Sequence, residues 1–380
     1  MAEAGVQKKL LEQLIMAQPG DVIEIPPGFH EITRSLSLKV DHVTLRGAGM
    51  DESILSFKNQ TQGAEGLMVT GSNVLLEGFA VEDAKGDAIK INECENLTIR
   101  SVRVEWTNGP DKDNGAYGLY PVQCENVLID ESVAIGASDA GIYVGQSNQV
   151  VVKNSRAEFN VAGIEIENTT NADVFNNVAT NNTGGILVFN MPNLPQPGAK
   201  TRVFNNEIVS NNTGNFAPAG TAVASVPTGS GIVINSNDEV EIFANAIKDN
   251  DTANIVISSY FSAGYSDRAT VESFDPYPEA IYIYDNEFAG GGESPDGVEL
   301  QALRVAHYGL MGHFPDIIWD GFVNAALLVD GEMPSIKKIC VQNGDVKVLN
   351  VDAPNNYAGV TDESAEFDCE LPKLAAVSLP

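Results

Sequence analysis

Asp139-Ala-Gly-Ile-Tyr-Val-Gly-Gln-Ser147 decides the reading of this chain, because close copies of its core recur along most of the sequence. Gly86-Asp-Ala-Ile-Lys-Ile91, Tyr117-Gly-Leu-Tyr-Pro121, Val161-Ala-Gly-Ile-Glu-Ile166, Gly184-Gly-Ile-Leu-Val188, Ser230-Gly-Ile-Val-Ile234 and Ala253-Asn-Ile-Val-Ile257 keep its order of small, aliphatic, variable and aliphatic residues. A second repeat precedes each copy, as in Asn96-Leu-Thr-Ile, Asn126-Val-Leu-Ile and Gln149-Val-Val-Val. Aligned at positions 42, 73, 96, 126, 149, 171, 200, 239 and 280, the basic unit is about 22 residues, with insertions. Three short strands joined by turns account for that length, and the Leu-rich consensus of a leucine-rich repeat is absent. The fold class is therefore all-β, a parallel β-helix solenoid. Asn177, Asn206, Asn245 and Asn286 fall at one equivalent position, where stacked amides bond along the coil axis.

The ends differ from the middle. Val6, Leu10, Leu14 and Ile15 have helical spacing, and Gln18-Pro19-Gly20 stops the pattern, so residues 6–16 are expected to form a helix that caps the first coil. After about residue 290 the repeat fades. The expected division is a β-helix with its cap over 1–301 and an irregular C-terminal section over 302–380, which closes the stack or packs along its side. A small independent domain is the alternative.

Composition narrows the partners. Apolar residues make up 43% and charged residues 19% of 380, as in a folded protein. The 22 Lys and Arg face 52 Asp and Glu, a formal charge of −30 that opposes nucleic acid and any polyanion. A bound calcium ion would offset that field for a polyuronate. No apolar run is long enough to span a membrane, and the first residues carry no leader, so the chain is either cytoplasmic or a mature exported protein. Cys94 and Cys124 occupy equivalent repeat positions, while Cys340 and Cys369 share the C-terminal section. Either pair can be a disulfide, favouring an oxidising compartment, or remain buried thiols.

Insertions at 106–115 and 213–228 precede the Gly-Ile strand, and those at 190–199 and 259–279 follow it, so a groove with a strand floor and loop walls is expected on this face. The strand period of two puts Ile89, Leu119, Ile142, Ile164, Ile186, Ile232 and Ile255 inward. Lys90, Tyr120, Tyr143 and Glu165 then point outward in one column, with Glu167 and Phe189 in a second row. Glu165 and Glu167 are acid/base candidates about 6.5–7 Å apart, at the lower end of the inverting glycosidase range. Tyr120 and Tyr143 are candidates for stacking or proton transfer, and Lys90 for charge neutralisation. Trp106, Tyr117, Asp139, Gln146, Asn168 and Phe189 are expected to contact substrate. A lyase or epimerase would need a second basic residue, which neither outward row supplies. No Gly-rich phosphate loop or nucleophile elbow is present, and no cofactor is evident.

Ala17-Gln-Pro-Gly-Asp-Val-Ile-Glu-Ile-Pro-Pro-Gly28, followed by Val43-Thr-Leu-Arg-Gly47, resembles the start of right-handed parallel β-helix proteins of the pectate lyase-like class. That resemblance covers roughly residues 7–290 and implies a right-handed coil that lyases, glycosidases and epimerases share. Asn114-Gly-Ala-Tyr-Gly-Leu-Tyr-Pro-Val122, Ala137-Ser-Asp-Ala-Gly-Ile-Tyr-Val-Gly-Gln-Ser147 and Asn160-Val-Ala-Gly-Ile-Glu-Ile-Glu-Asn168 look like a bacterial family of parallel β-helix repeat proteins without an assigned activity. This second resemblance implies export, to the periplasm or beyond, and a c-type cytochrome-like partner. Tyr117-Gly-Leu-Tyr-Pro-Val122 is similar to the Tyr-Gly-Phe-Asp-Pro-His segment of mannuronan C5-epimerases, but Tyr120 and Val122 replace its Asp and His. Epimerase catalysis is not carried over. The leading expectation is a protein that binds an oligo- or polysaccharide across the Gly-Ile face, as a lyase, epimerase or glycosidase if it is an enzyme. The alternative is a non-catalytic binding or assembly module for a protein partner, a redox protein among them.

Overall fold

The computed structural model describes residues 3–263 and 273–380. Its core is a right-handed parallel β-helix of three sheets with 11, 10 and 11 strands, in which each strand pairs with its counterpart one coil on. The Gly-Ile segments form one 11-stranded sheet, from Arg34–Leu38 to Val348–Asn350. Inward residues of all three sheets share one apolar column, and Ile89, Leu119, Ile142, Ile164, Ile186, Ile232 and Ile255 are fully buried in it.

The corners show why a coil of this length closes. His42, Asn73, Asn96, Asn126, Gln149, Asn171, Lys200, Glu239 and Ala280, the nine aligned positions, all have φ between 52° and 62°. This left-handed conformation suits Asn best among residues with a side chain, which is why Asn recurs there. Inside, the Asn ladder runs from Asn177 to Asn206, Asn245 and Asn286, each Nδ2 donating to the next Oδ1 at 2.9–3.0 Å. The same Nδ2 atoms also donate to the carbonyls of Val152, Val174, Val203 and Ile242. A second ladder, not singled out in the sequence, joins Asn160, Asn182, Asn211, Asn250 and Asn254 at 2.9–3.1 Å. The motif glycines make room for it: a Cβ on Gly141 would meet the Asn160 amide at 2.6 Å, and one on Gly163 the Asn182 amide at 2.8 Å.

Helix α1 (Glu3–Met16) closes the first coil through Leu10 and Leu14, while Gln7 Oε1 accepts from Thr33 N at 2.7 Å. Ile15, expected on the buried face, is 74% exposed, while Val6, Leu10, Leu11 and Leu14 form the face that meets the core. Helix α2 (Val298–Tyr308) straddles residue 301. Beyond it, Ile317–Trp319 and Val348–Asn350 extend the Gly-Ile sheet and Ile339–Gln342 extends the first sheet. The last residues then return along the side, where Leu374 N donates to Glu241 Oε2 and Val377 N to Asp173 Oδ2. Both cysteine pairs are disulfides, Cys94–Cys124 between successive coils and Cys340–Cys369 at the root of the returning tail.

Candidate functional site

Strand register brings the outward residues into file. Tyr120 pairs with Lys90, Tyr143 with Glu165, Glu165 with Leu187, and Gly145 with Glu167. The face they share is not an open floor. Leu187, Phe189 and Val233 also point outward, and the 213–228 insertion covers them with Val223 and Val226 in a second apolar cluster. Asn215 Nδ2 ties the insertion together by donating to the carbonyls of Val223 and Val226. Apolar side chains on the outer face of the strand require such a roof, and its presence leaves Tyr143 4% and Glu165 1% exposed.

What remains is a cleft of about 360 Å³ at the edge of the roof. Its floor and inner wall are Tyr117, Asp139, Glu165 and Glu167, and its lip is Met191, Pro192 and Leu194 on one side and Gly220–Val223 on the other. Tyr117 stacks on Tyr120 at 4.2 Å, and each lies 4.9 Å from Tyr143. Tyr143 Oη donates to Glu167 Oε1 at 2.6 Å, and Gln146 Nε2 donates to both at 3.1 and 3.3 Å. Glu165 Oε2 is buried without a hydrogen-bond partner.

Three carboxyls in this space titrate abnormally. Burial, then the neighbouring charges of Asp139 and Glu167, pushes Glu165 well above the usual carboxylate range. Burial and the Glu167 charge push Asp139 up to about 7, against a lowering hydrogen bond from Tyr117. Burial also raises Glu167, and the Tyr143 hydrogen bond opposes it. No basic residue among the described residues lines the cleft. Like charges this close cannot all ionise, so the trio holds at least one proton near neutrality. Burial and the surrounding carboxylates raise Tyr117, Tyr120 and Tyr143, which keeps the phenols as neutral donors.

The other expected residues separate. Lys90 sits beside the cluster, 3.5 Å from Asp87 and 5.0 Å from the Tyr120 ring centroid. Trp106 is in the main core, its indole N–H donated to Ala84 O at 2.7 Å. Asn168 holds the base of the 190–199 insertion, with Nδ2 donating to Asn190 Oδ1, Met191 O and Gln196 O. Phe189 lies under the roof and lines a separate cleft further along the face, with Val233, Val256 and Ile318. Sequence reasoning missed the lip residues Met191, Leu194 and Val223, whose only signal was membership of an insertion flanking the strand. Residues 264–272 of the 259–279 insertion lie outside the described residues.

For a cation, the described residues offer one group of three carboxylates with oxygens within 4.8 Å of one another: Asp238, Asp275 and Glu279. It is remote from the cleft in the coil order, and Lys337 Nζ already lies 3.0 Å from Asp238 Oδ2 and 2.9 Å from Glu279 Oε2. An ammonium held there opposes a calcium ion at the same oxygens.

Residues 42–194 match the family model described as a right handed beta helix region. No curated protein matches the chain in sequence. Solved structures with a similar fold include the A-module of the Azotobacter vinelandii mannuronan C-5 epimerase AlgE4, at TM-score 0.49 and 19% identity over 77% of this chain and 85% of that one. An alginate lyase from Paenibacillus sp. str. FPU-7 aligns at TM-score 0.45 and 16% identity, over 75% and 96% of the two chains. DFA-IIIase from Arthrobacter chlorophenolicus A6 aligns at TM-score 0.47 and 11% identity, over 83% and 87%. At these values nothing about reaction or residues transfers from them.

Proposed function

We propose that this protein acts on a neutral saccharide, hydrolysing a glycosidic bond in the cleft beside Glu165. The observation that carries the reading is the Glu165 carboxyl itself, buried, raised and with one oxygen unpartnered at the wall of a cleft that also holds Glu167. A carboxyl kept protonated near neutrality is the general acid that a leaving-group oxygen needs, and a second one whose environment differs is the base. Glu167, accepting from Tyr143 and Gln146, is the more easily ionised of the pair and takes the base role. Asp139 and Tyr117 hold the far side of the sugar. Their mutual hydrogen bond and the stacking of Tyr117 on Tyr120 fix both groups at the cleft wall.

The same groups argue against elimination or epimerisation of a uronate. Those reactions need a cation for the carboxylate and a base with a lowered pKa, whereas the cleft lining is acidic and its phenols are raised. A net charge of −30 repels the same substrates. A protein partner docked across the face is the weaker reading, because the 213–228 insertion already occupies its middle. No feature of the described cleft calls for a redox protein. The two disulfides favour an oxidising compartment, periplasmic or extracellular.

The test is incubation of purified protein with neutral and acidic polysaccharides, with and without calcium, while reducing ends and the absorbance of unsaturated products are followed. Reducing ends from a neutral glycan, lost in Glu165→Gln, are expected. Unsaturated product from an acidic glycan would replace the reading with a lyase. Silence on both channels together with unchanged NMR spectra of recovered polymers would leave a binding protein.

A further inference from the structure

The end of the coil opposite helix α1 carries a further cavity, distinct from both clefts on the Gly-Ile face. It measures about 580 Å³, inside the range of about 300–1,000 Å³ typical of small-molecule sites. Tyr277 and Glu279 supply one wall, Phe322 and the connection from Asn324 to Lys338 another, and Trp319 and Phe367 the inner end. Trp319 follows the inward register of Ile257 at the last rungs of the Gly-Ile sheet, where the neighbouring sheet of ten strands has already ended. Trp319 and Phe367, packed edge to face at 5.7 Å, close the coil there and form the floor of the cavity.

Two polar atoms in this wall are orphaned. Glu279 is 1% exposed and Trp319 8%, yet Glu279 Oε1 and Trp319 Nε1 have no hydrogen-bond partner. Buried polar groups are almost always paired, so two bare atoms in one wall point to a partner that the protein itself does not supply. The other tryptophan, Trp106, obeys that rule through Ala84 O. Glu279 Oε2 is ion-paired with Lys337 at 2.9 Å, an ammonium that Asp238 shares at 3.0 Å, and its free oxygen calls for a further donor. The indole N–H calls for an acceptor. A hydroxyl answers both, whereas an organic cation would leave the indole bare and an apolar ligand would leave both.

We propose that this cavity is a binding site for a neutral ring polyol, a mono- or disaccharide. One hydroxyl donates to Glu279 Oε1, another accepts from Trp319 Nε1–H, and the carbon face of the ring packs against Tyr277 and Phe322. The site is separate from the cleft and stands whether or not the cleft is catalytic.

The protein contains two tryptophans, so its ¹⁵N-labelled spectrum has two indole N–H signals. Titration with methyl β-glucoside and with cellobiose is expected to move one of them saturably, and Trp319→Phe identifies that signal by removing it. Glu279→Met, which leaves Lys337 paired with Asp238, should weaken binding about five- to tenfold, as for one lost hydrogen bond. Glu279→Gln keeps an acceptor oxygen and should bind within about twofold of the parent. Glu165→Gln in the cleft should leave this titration unchanged, which separates failure here from failure of the cleft reading. A saturable shift with choline but neither sugar would overturn the proposal, as would an indole signal indifferent to all three probes or sugar binding unaltered in Glu279→Met.

Discussion

Two columns of buried polar residues run along this coil, and they are built on opposite terms. In the Asn ladders each Nδ2 has both a neighbouring amide and a main-chain carbonyl, as Asn206 has Asn245 Oδ1 and Val174 O. In the outward column Glu165, Glu167 and Asp139 crowd together with no cation among the cleft residues, and one Glu165 oxygen has no partner. Both lie in register along the coil, but the amides recur from rung to rung, whereas Glu165 is flanked by Tyr143 and Leu187. Only the first is satisfied, so the first holds the structure together while the second stores unfavourable electrostatics that a substrate or a proton relieves.

If that contrast is right, the largest effect comes from Glu165→Gln. The rate of saccharide hydrolysis should fall about 10²–10⁴-fold, the usual contribution of a positioned acid, while the unfolding temperature holds or rises because a buried ionisable group has gone. Initial rates and a thermal melt on the same preparation check both halves, and a stability loss would mean the carboxyl belongs with the ladders.

The next effect is on pH dependence. Asp139 is raised in the folded state to about 7 from an unfolded value near 4, so the folded protein binds the extra proton between these values. Its contribution to stability is present below about pH 4 and is lost as pH climbs to 7. Urea midpoints should therefore decline from pH 4 to 7, and Asp139→Asn should flatten the slope. A parent curve that rises over that window would contradict the assignment.

Smaller again is the cost of interrupting a ladder. Asn206→Ala removes the donors to Asn245 and Val174, leaves the Asn177 main-chain N–H without its acceptor and leaves Asn177 Nδ2 only Val152 O. A loss of about 2–3 kcal/mol in urea unfolding is expected, with cleft activity unchanged in whatever fraction remains folded.

The ladder and the coil were legible in the sequence because they are periodic. The αL corner explains Asn73, Asn96, Asn126 and Asn171, and the inward column explains each Ile after its glycine. The outward register was legible on the same ground, which is how Glu165, Glu167, Tyr120 and Tyr143 were brought together. What periodicity does not encode is where an insertion folds back. Val223 and Val226 roof the face, so the groove becomes a small cleft, and the lip residues Met191 and Leu194 belong to no repeat. Trp106 was misleading for a related reason: beside an insertion an aromatic resembles a ligand platform, but this one turns into the core, where Ala84 O takes its N–H. The second Asn ladder has the same intervals as the first over Asn182, Asn211 and Asn250, but ends on Asn254 only four residues further on.

The smallest effect sharpens the comparison by testing a third column, which is neither buried amide nor crowded acid. Phe175, Phe204, Phe243 and Tyr284 stack at 4.8, 4.8 and 5.0 Å with planes within 11° of parallel, and the Arg202 guanidinium lies 4.8 Å from the Phe204 centroid. Arg202 is held in turn by Asp173 through two hydrogen bonds of 2.8 and 3.0 Å. Phe204→Leu keeps an apolar side chain in the column but removes two ring contacts and the cation–π partner, so about 1 kcal/mol is expected in urea unfolding. The value should be additive with Asn206→Ala if the columns are independent elements of one solenoid, and a double mutant that deviates by more than about 0.5 kcal/mol would show that adjacent columns share strain through the coil backbone.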